Sequence, residues 1–183
     1  MKIIVIASPR TASTWFCKKL ANDHNIKNFN ELLTDQLQTS NLSVHLVSKL
    51  TNELIKKDSG VFKVMLSFYN GAKDYPTKNQ QLLQLCASAD KIYYLHRRDH
   101  RAQLRSAIIA DSLDNWHNTV LSDDIININV THDLYNATKD KQTACFKQIE
   151  EFKSIVPGET VYTEDIIQHN YEPYKQKYNL NVV

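Results

Sequence analysis

Two stretches of this chain carry residue types and spacings that could do chemistry, and in both the chemistry is capture of an anion. The first is Ser8-Pro9-Arg10-Thr11-Ala12-Ser13-Thr14-Trp15, which sets hydroxyls around one guanidinium directly after the apolar run Lys2-Ile3-Ile4-Val5-Ile6-Ala7. Between a strand and a helix, such a turn aims free backbone N–H groups and the positive end of the helix dipole at one point, where phosphate or sulfate fits. The second runs from His96 to Ser106, where His96, Arg97, Arg98, His100, Arg101 and Arg105 concentrate positive charge. A guanidinium at a strand end can grip a phosphate bidentately. Lys63 is a further candidate: a charge within a strand is uncommon, so it either points into a cleft or snorkels outward.

The elements that must position these residues follow from periodicity. Lys2–Ala7 reads as a buried strand, and Trp15, Phe16, Cys17, Leu20 and Ala21 suit a helix starting near Ser13. Asn25–Leu33 is expected as a short polar connection near the mouth of the site. Val44, Val47, Leu50, Leu54 and Ile55 recur at helical spacing, with Asp58-Ser59-Gly60 as the expected C-cap. Val61–Phe68 is expected as a strand, Leu82–Ala89 as a helix, and Lys91–His96 as a third strand leading to Asp99, an N-cap for the helix carrying Leu104, Ala107 and Ile108. Leu134, Thr138, Cys145, Ile149 and Phe152 stripe a long helix, and Pro157-Gly158 turns the chain into Thr160-Val161-Tyr162 as the last strand. The alternation predicts a three-layer α/β fold, a mostly parallel central sheet flanked by helices, in a single domain spanning 1–183. Ligands of such sheets sit at the carboxyl ends of the strands, where both polar stretches fall. The polar segments Leu33–Ser43 and Leu113–Asn129 are expected to line an acceptor pocket.

Composition narrows the partners. With 22 Lys+Arg against 20 Asp+Glu the formal net charge is +2, so whole-chain charge argues against nucleic acid and an anionic membrane, and an anion site must be local. Cys17, Cys86 and Cys145 are odd in number and far apart, which fits buried thiols in a reducing cytoplasm. No apolar run approaches the ~20 residues of a membrane span, and Ile3–Ala7 is too short for a signal-peptide core.

The first stretch lacks both glycines and the Gly-Lys pair of the nucleoside triphosphate P-loop, so a kinase-like phosphotransferase is the lesser reading. Pro9-Arg10-Thr11-Ala12-Ser13-Thr14-Trp15 instead resembles the 5′-phosphosulfate loop of the PAPS-dependent sulfotransferases, Pro-(Lys/Arg)-Ser/Thr-Gly-Ser/Thr-Thr-Trp, departing from it at Ala12. A Cβ at that position asks for a negative φ or for strain. Arg98-Asp99-His100-Arg101-Ala102-Gln103-Leu104-Arg105-Ser106 resembles the family's 3′-phosphate motif, with His100 in place of its usual Pro. Ala102-Gln103 and Trp116-His117 are similar to the bacterial trehalose-type carbohydrate branch. Val161-Tyr162-Thr163-Glu164-Asp165-Ile166 resembles a late Tyr-Glu-Asp-Leu segment, with Thr163 inserted.

The resemblance implies a P-loop NTPase-like sulfotransferase fold and a cytoplasmic enzyme. It would move a sulfuryl group from 3′-phosphoadenosine 5′-phosphosulfate (PAPS) to a hydroxyl of a small molecule, a carbohydrate or hydroxylated metabolite, leaving adenosine 3′,5′-bisphosphate (PAP) and using no metal. Arg10 would steady the bridging and leaving oxygens, while Pro9, Thr11, Ala12, Ser13 and Thr14 would cradle the 5′-phosphate. Trp15 would stack on adenine or, alternatively, pack in the core, and Arg98 and Ser106 would hold the 3′-phosphate. Glu31 stands nearest the family's general base, with His24, His96 and His117 as alternatives. A catalytically silent nucleotide-binding module would keep the loops and lack the base.

Overall fold

The computed structural model describes residues 1–29, 44–66, 79–112, 126–167 and 178–183. Strand β1 (Lys2–Ala7) is buried at every position, as its run of β-branched residues requires. It sits between β2 (Gly60–Val64) and β3 (Lys91–His96), and β5 (Glu159–Tyr162) flanks β3, so the order is β2-β1-β3-β5 with every pairing parallel. Each fully buried Ile or Val contributes roughly 1.5–3 kcal/mol. β1, with Ile3, Ile4, Val5 and Ile6 all at 0% exposure, is therefore the axis of the fold.

Helices cover both faces, because the period of two sends alternate side chains to opposite sides. Ile3, Val5 and Ala7 pack with Phe16, Cys17, Leu20 and Ala21 of α1 (Ser13–His24). Ile4 and Ile6 face a larger core that includes Leu50 and Leu54 of α2 (Val44–Ile55), Leu82, Leu85 and Cys86 of α3 (Gln80–Ala87), and Cys145, Ile149 and Phe152 of α5 (His132–Lys153). The three layers expected from the sequence are present. All three cysteines are buried free thiols, and burial pushes Cys86 up to about 12 and Cys145 to about 11. No helix among the described residues is long and apolar enough to cross a membrane.

Three expectations change. A second, two-stranded parallel sheet joins β4 (Ile126–Val130) to β6 (Tyr178–Val182), so Tyr162 does not end the last strand, and 126–129 is not irregular. Its alternating residues match across the ladder, Ile128 opposite Leu180 and Asn129 opposite Asn181, and the apolar ones pack on α4 (His100–Ser112) through Ile108. Gly60 opens β2 rather than capping α2, which ends five residues earlier. Its φ of +141° and a phantom Cβ 2.6 Å from the Phe29 ring make it a close-approach glycine. Phe29 stacks on Phe62, and Asn28 bridges Val61, so Asn28 and Phe29 lie along the amino-terminal half of β2, away from the sheet's carboxyl edge.

Candidate functional site

Both polar stretches lie at the carboxyl edge of the four-stranded sheet, since β1 ends at Ala7 and β3 at His96. In the turn after β1, Arg10 has φ +63° and Ala12, the N-cap of α1, has φ +55° and ψ +29°. Of the two ways to accommodate a Cβ at position 12, the chain takes the strained one; a left-handed non-glycine residue costs roughly 1–2 kcal/mol. Ala12 has no side chain to cap with, so the first turn of α1 lacks a side-chain cap and its amides face the turn.

Such a turn persists only where its surroundings over-determine it. Thr11, fully buried, donates its hydroxyl to the Ser8 carbonyl at 2.8 Å, so that hydroxyl braces the turn and is not presented to a ligand. From α4, the Gln103 amide donates to Ser8 Oγ at 2.8 Å and to the Pro9 carbonyl at 2.6 Å. From the one-turn helix α6 (Thr163–Ile166), Thr163 Oγ1 lies 2.9 Å from both the Thr11 and the His96 carbonyls. Neither Gln103 nor Thr163 stood out in sequence as a contact of the turn.

Three cationic side chains at this edge are held in different ways. Arg10 Nε donates to Ser106 Oγ at 2.8 Å, joining the two stretches across 96 residues. Lys63 is only 8% exposed and donates from Nζ to Thr14 Oγ1 at 3.3 Å, so it points inward at the start of α1 and does not snorkel outward. Arg98 grips Asp165 bidentately at 2.5 and 2.7 Å, with its guanidinium 4.1 Å above the Tyr162 ring and the side chain 51% exposed. Arg98 and Ser106, expected on one group, are thus held by different partners. Glu164 accepts from the Arg98 and Asp99 amides at 3.1 Å each, and Asp99 caps α4 through Ala102 N at 2.9 Å, as its position predicted.

Electrostatics follow these contacts. The hydrogen bond with Arg98 holds the Asp165 carboxyl below the usual range and the guanidinium above its own. Burial pushes Glu164 up, but the amides of Arg98 and Asp99 outweigh it, and its carboxyl also lies low. His96 titrates below its ordinary value because burial disfavours the imidazolium; its Nε2 makes no hydrogen bond among the described residues and lies 3.8 Å from Glu150.

Of the base candidates, His96 lies at this edge, while Glu31 and His117 fall outside the described residues. His24 does not reach the site: as the last residue of α1 it is carried about 16 Å along the helix from the turn. Trp15 is partly buried and packs against the α1 face of the core, the alternative to adenine stacking. Ser13 is 8% exposed and Thr14 holds Lys63. Among the described residues no group of three or more His, Cys, Asp or Glu is placed to hold a metal. Comparison of the chain with protein-family models, curated proteins and solved structures returns no match.

Proposed function

We propose that this edge binds a nucleotide bearing two anionic ends and that the protein is a PAPS-dependent sulfotransferase acting on a hydroxyl of a small carbohydrate or hydroxylated metabolite. The observation that carries the reading is the Arg10–Ser106 hydrogen bond: two stretches that each look built for an anion meet on one sheet edge. A donor with a 5′-phosphosulfate and a 3′-phosphate needs two such sites side by side. The uncapped start of α1 supplies amides for the 5′ end, Arg10 and Lys63 supply positive charge beside it, and Arg98 and Ser106 serve the 3′ end.

In the transfer, the acceptor oxygen forms a bond to sulfur as the bond from sulfur to the bridging oxygen of the 5′-phosphate breaks. The acceptor proton passes to a base, His96 or one of Glu31 and His117. Charge accumulates on the sulfuryl oxygens and the leaving phosphate, so catalysis is mainly positioning and charge stabilisation. The Arg10 guanidinium and the Lys63 side chain supply that stabilisation.

A thermal melt tests the reading with adenosine 3′,5′-bisphosphate, ADP and AMP in parallel. At a hundred times its dissociation constant the bisphosphate adds about 2.7 kcal/mol, a rise of roughly 5–10 °C for a chain of this size. A rise with the bisphosphate alone is expected. An equal rise with ADP would move the assignment to a kinase-like nucleotide binder, and no rise with any of the three would remove it.

A further inference from the structure

The turn between β1 and α1 holds two non-glycine residues, Arg10 and Ala12, in left-handed conformation. Beside the local Thr11–Ser8 bond, contacts from elsewhere in the fold hold it there, and the most buried of them comes from Gln103, a polar side chain at 1% exposure on α4. Its orientation is determined by chemistry. The Pro9 carbonyl can only accept, so the group 2.6 Å from it must be the NH2 of the amide, whose second proton goes to Ser8 Oγ. Both donors are thereby used on the first two residues of the turn, while Gln103 Oε1 has no partner among the described residues. A side chain that merely filled space would be better made of carbon and hydrogen.

We propose that Gln103 is a positioning residue for the anion-binding turn: by fixing Ser8 and Pro9 it holds Arg10 and Ala12 in the left-handed conformation before a phosphate- or sulfate-bearing ligand arrives. The inference rests on the reading of that turn as an anion site and extends it to a residue that touches no ligand. Preorganisation of this kind replaces glycine. A glycine at position 12 would reach the left-handed region without a steric penalty but would leave the turn loose; alanine stiffens it, and Gln103 supplies the contacts that keep it there. Affinity is then set by how much of the ordering is complete in the free protein.

The test measures binding of adenosine 3′,5′-bisphosphate and, separately, inorganic sulfate by calorimetry to the full chain, at a temperature where circular dichroism shows every variant folded. Gln103→Met keeps the volume and removes both donors. It is expected to weaken both probes by about tenfold, the effect of losing two ordinary hydrogen bonds to the turn. Adding Ala12→Gly to Gln103→Met is expected to recover a large part of that loss, because glycine needs no brace to reach a positive φ. A merely structural glutamine would show no such recovery. Ser8→Ala, which leaves Gln103 in place and removes one of its acceptors, is expected to weaken both probes by about threefold and serves if Gln103→Met does not fold.

Unchanged affinity in Gln103→Met, or a loss that Ala12→Gly leaves as it was, overturns the role given to Gln103 while the anion site stands. If the parent protein binds sulfate but shows no preference for the bisphosphate, the nucleotide reading falls and Gln103 is still judged on sulfate. If it binds neither probe, both readings fall together.

Discussion

The two polar stretches meet at one edge but are held there by opposite means. The Ser8–Trp15 turn is internal: Ser8 and Thr11 are at most 1% exposed, and braces reach it across the fold from Gln103, Thr163, Ser106 and Lys63. The Arg98 end of the other stretch is external, its guanidinium half-exposed and paired with an equally exposed Asp165. Two left-handed residues cost roughly 2–4 kcal/mol together, which several buried hydrogen bonds near 1 kcal/mol each can offset and a surface ion pair of 0–1 kcal/mol cannot. Arg98 has no such backbone strain to offset, so a surface contact suffices to aim it. One half of the site is therefore built in advance and the other is adjustable.

The largest effects come from a crossed pair of variants. Thr11→Val removes a fully buried hydroxyl and leaves the Ser8 carbonyl without that donor, and it is expected to lower stability by about 1–3 kcal/mol in urea titrations. Arg98→Ala is expected to change stability far less than Thr11→Val does, because its partner is in solvent. It should nevertheless weaken adenosine 3′,5′-bisphosphate binding by about 1.5–3 kcal/mol, the worth of a charged hydrogen bond made to the ligand. The contrast breaks if Arg98→Ala unfolds the protein as readily as Thr11→Val. Equal bisphosphate affinity in Arg98→Ala would remove Arg98 from the 3′-phosphate site.

This internal and external division also separates what was legible in the sequence from what was not. β1, β3, the start of α1 near Ser13 and the capping of α4 by Asp99 follow from apolar period and local hydrogen bonding, which act over a few residues. The braces act over 94 residues from Gln103 to Pro9 and 152 from Thr163 to Thr11, and no local pattern marks them. Arg98 stood out by its place after a strand, but its partner Asp165, 67 residues on, did not. The β4–β6 pair carries a local signal: Ile-Asn-Ile-Asn-Val and Tyr-Asn-Leu-Asn-Val alternate with the strand period, yet asparagine is a turn former and draws the first of them toward loop. Gly60 was misread for a related reason, since a glycine after a helix reads as a C-cap unless the ring of Phe29 against it is known.

A smaller effect tests whether the external half is adjustable. Asp165 occupies the face of Arg98 with which a guanidinium would grip a phosphate, so a ligand phosphate must displace it or share it. Asp165→Asn removes the competitor and one negative charge beside the incoming anion. A pair this exposed costs little to break, so bisphosphate should bind up to about fivefold tighter, and the gain should shrink as salt is raised. Weaker binding in Asp165→Asn would show that the carboxylate aims Arg98 rather than competing for it, and the second half of the site would then be as preformed as the first.

The smallest effect concerns the residue between the two halves. His96 ends β3, its carbonyl lies 2.9 Å from the Thr163 hydroxyl that also reaches Thr11, and Arg97 and Arg98 follow it. Its ring is enclosed by Tyr162 at 6.2 Å between centroids and by Glu150 at 3.8 Å, with Lys153 and His100 adding positive charge nearby. Burial lowers its pKa more than Glu150 raises it, so in the native protein the imidazole gives up its proton at a lower pH than in the unfolded chain. Between that lowered value and about 6.5 the unfolded chain holds more protons, and stability must fall as pH drops through this window. Glu164 and Asp165, both held low, act in a separate and more acidic window, where stability is lost as their carboxylates protonate. Urea unfolding followed at a series of pH values separates the two arms, and His96→Gln should flatten the upper one and leave the acidic one unchanged. If the upper arm survives in His96→Gln, the titrating group lies elsewhere. If instead the acidic arm flattens with it, the buried turn and the exposed ion pair unfold as one unit, and the division between a preformed half and an adjustable half fails.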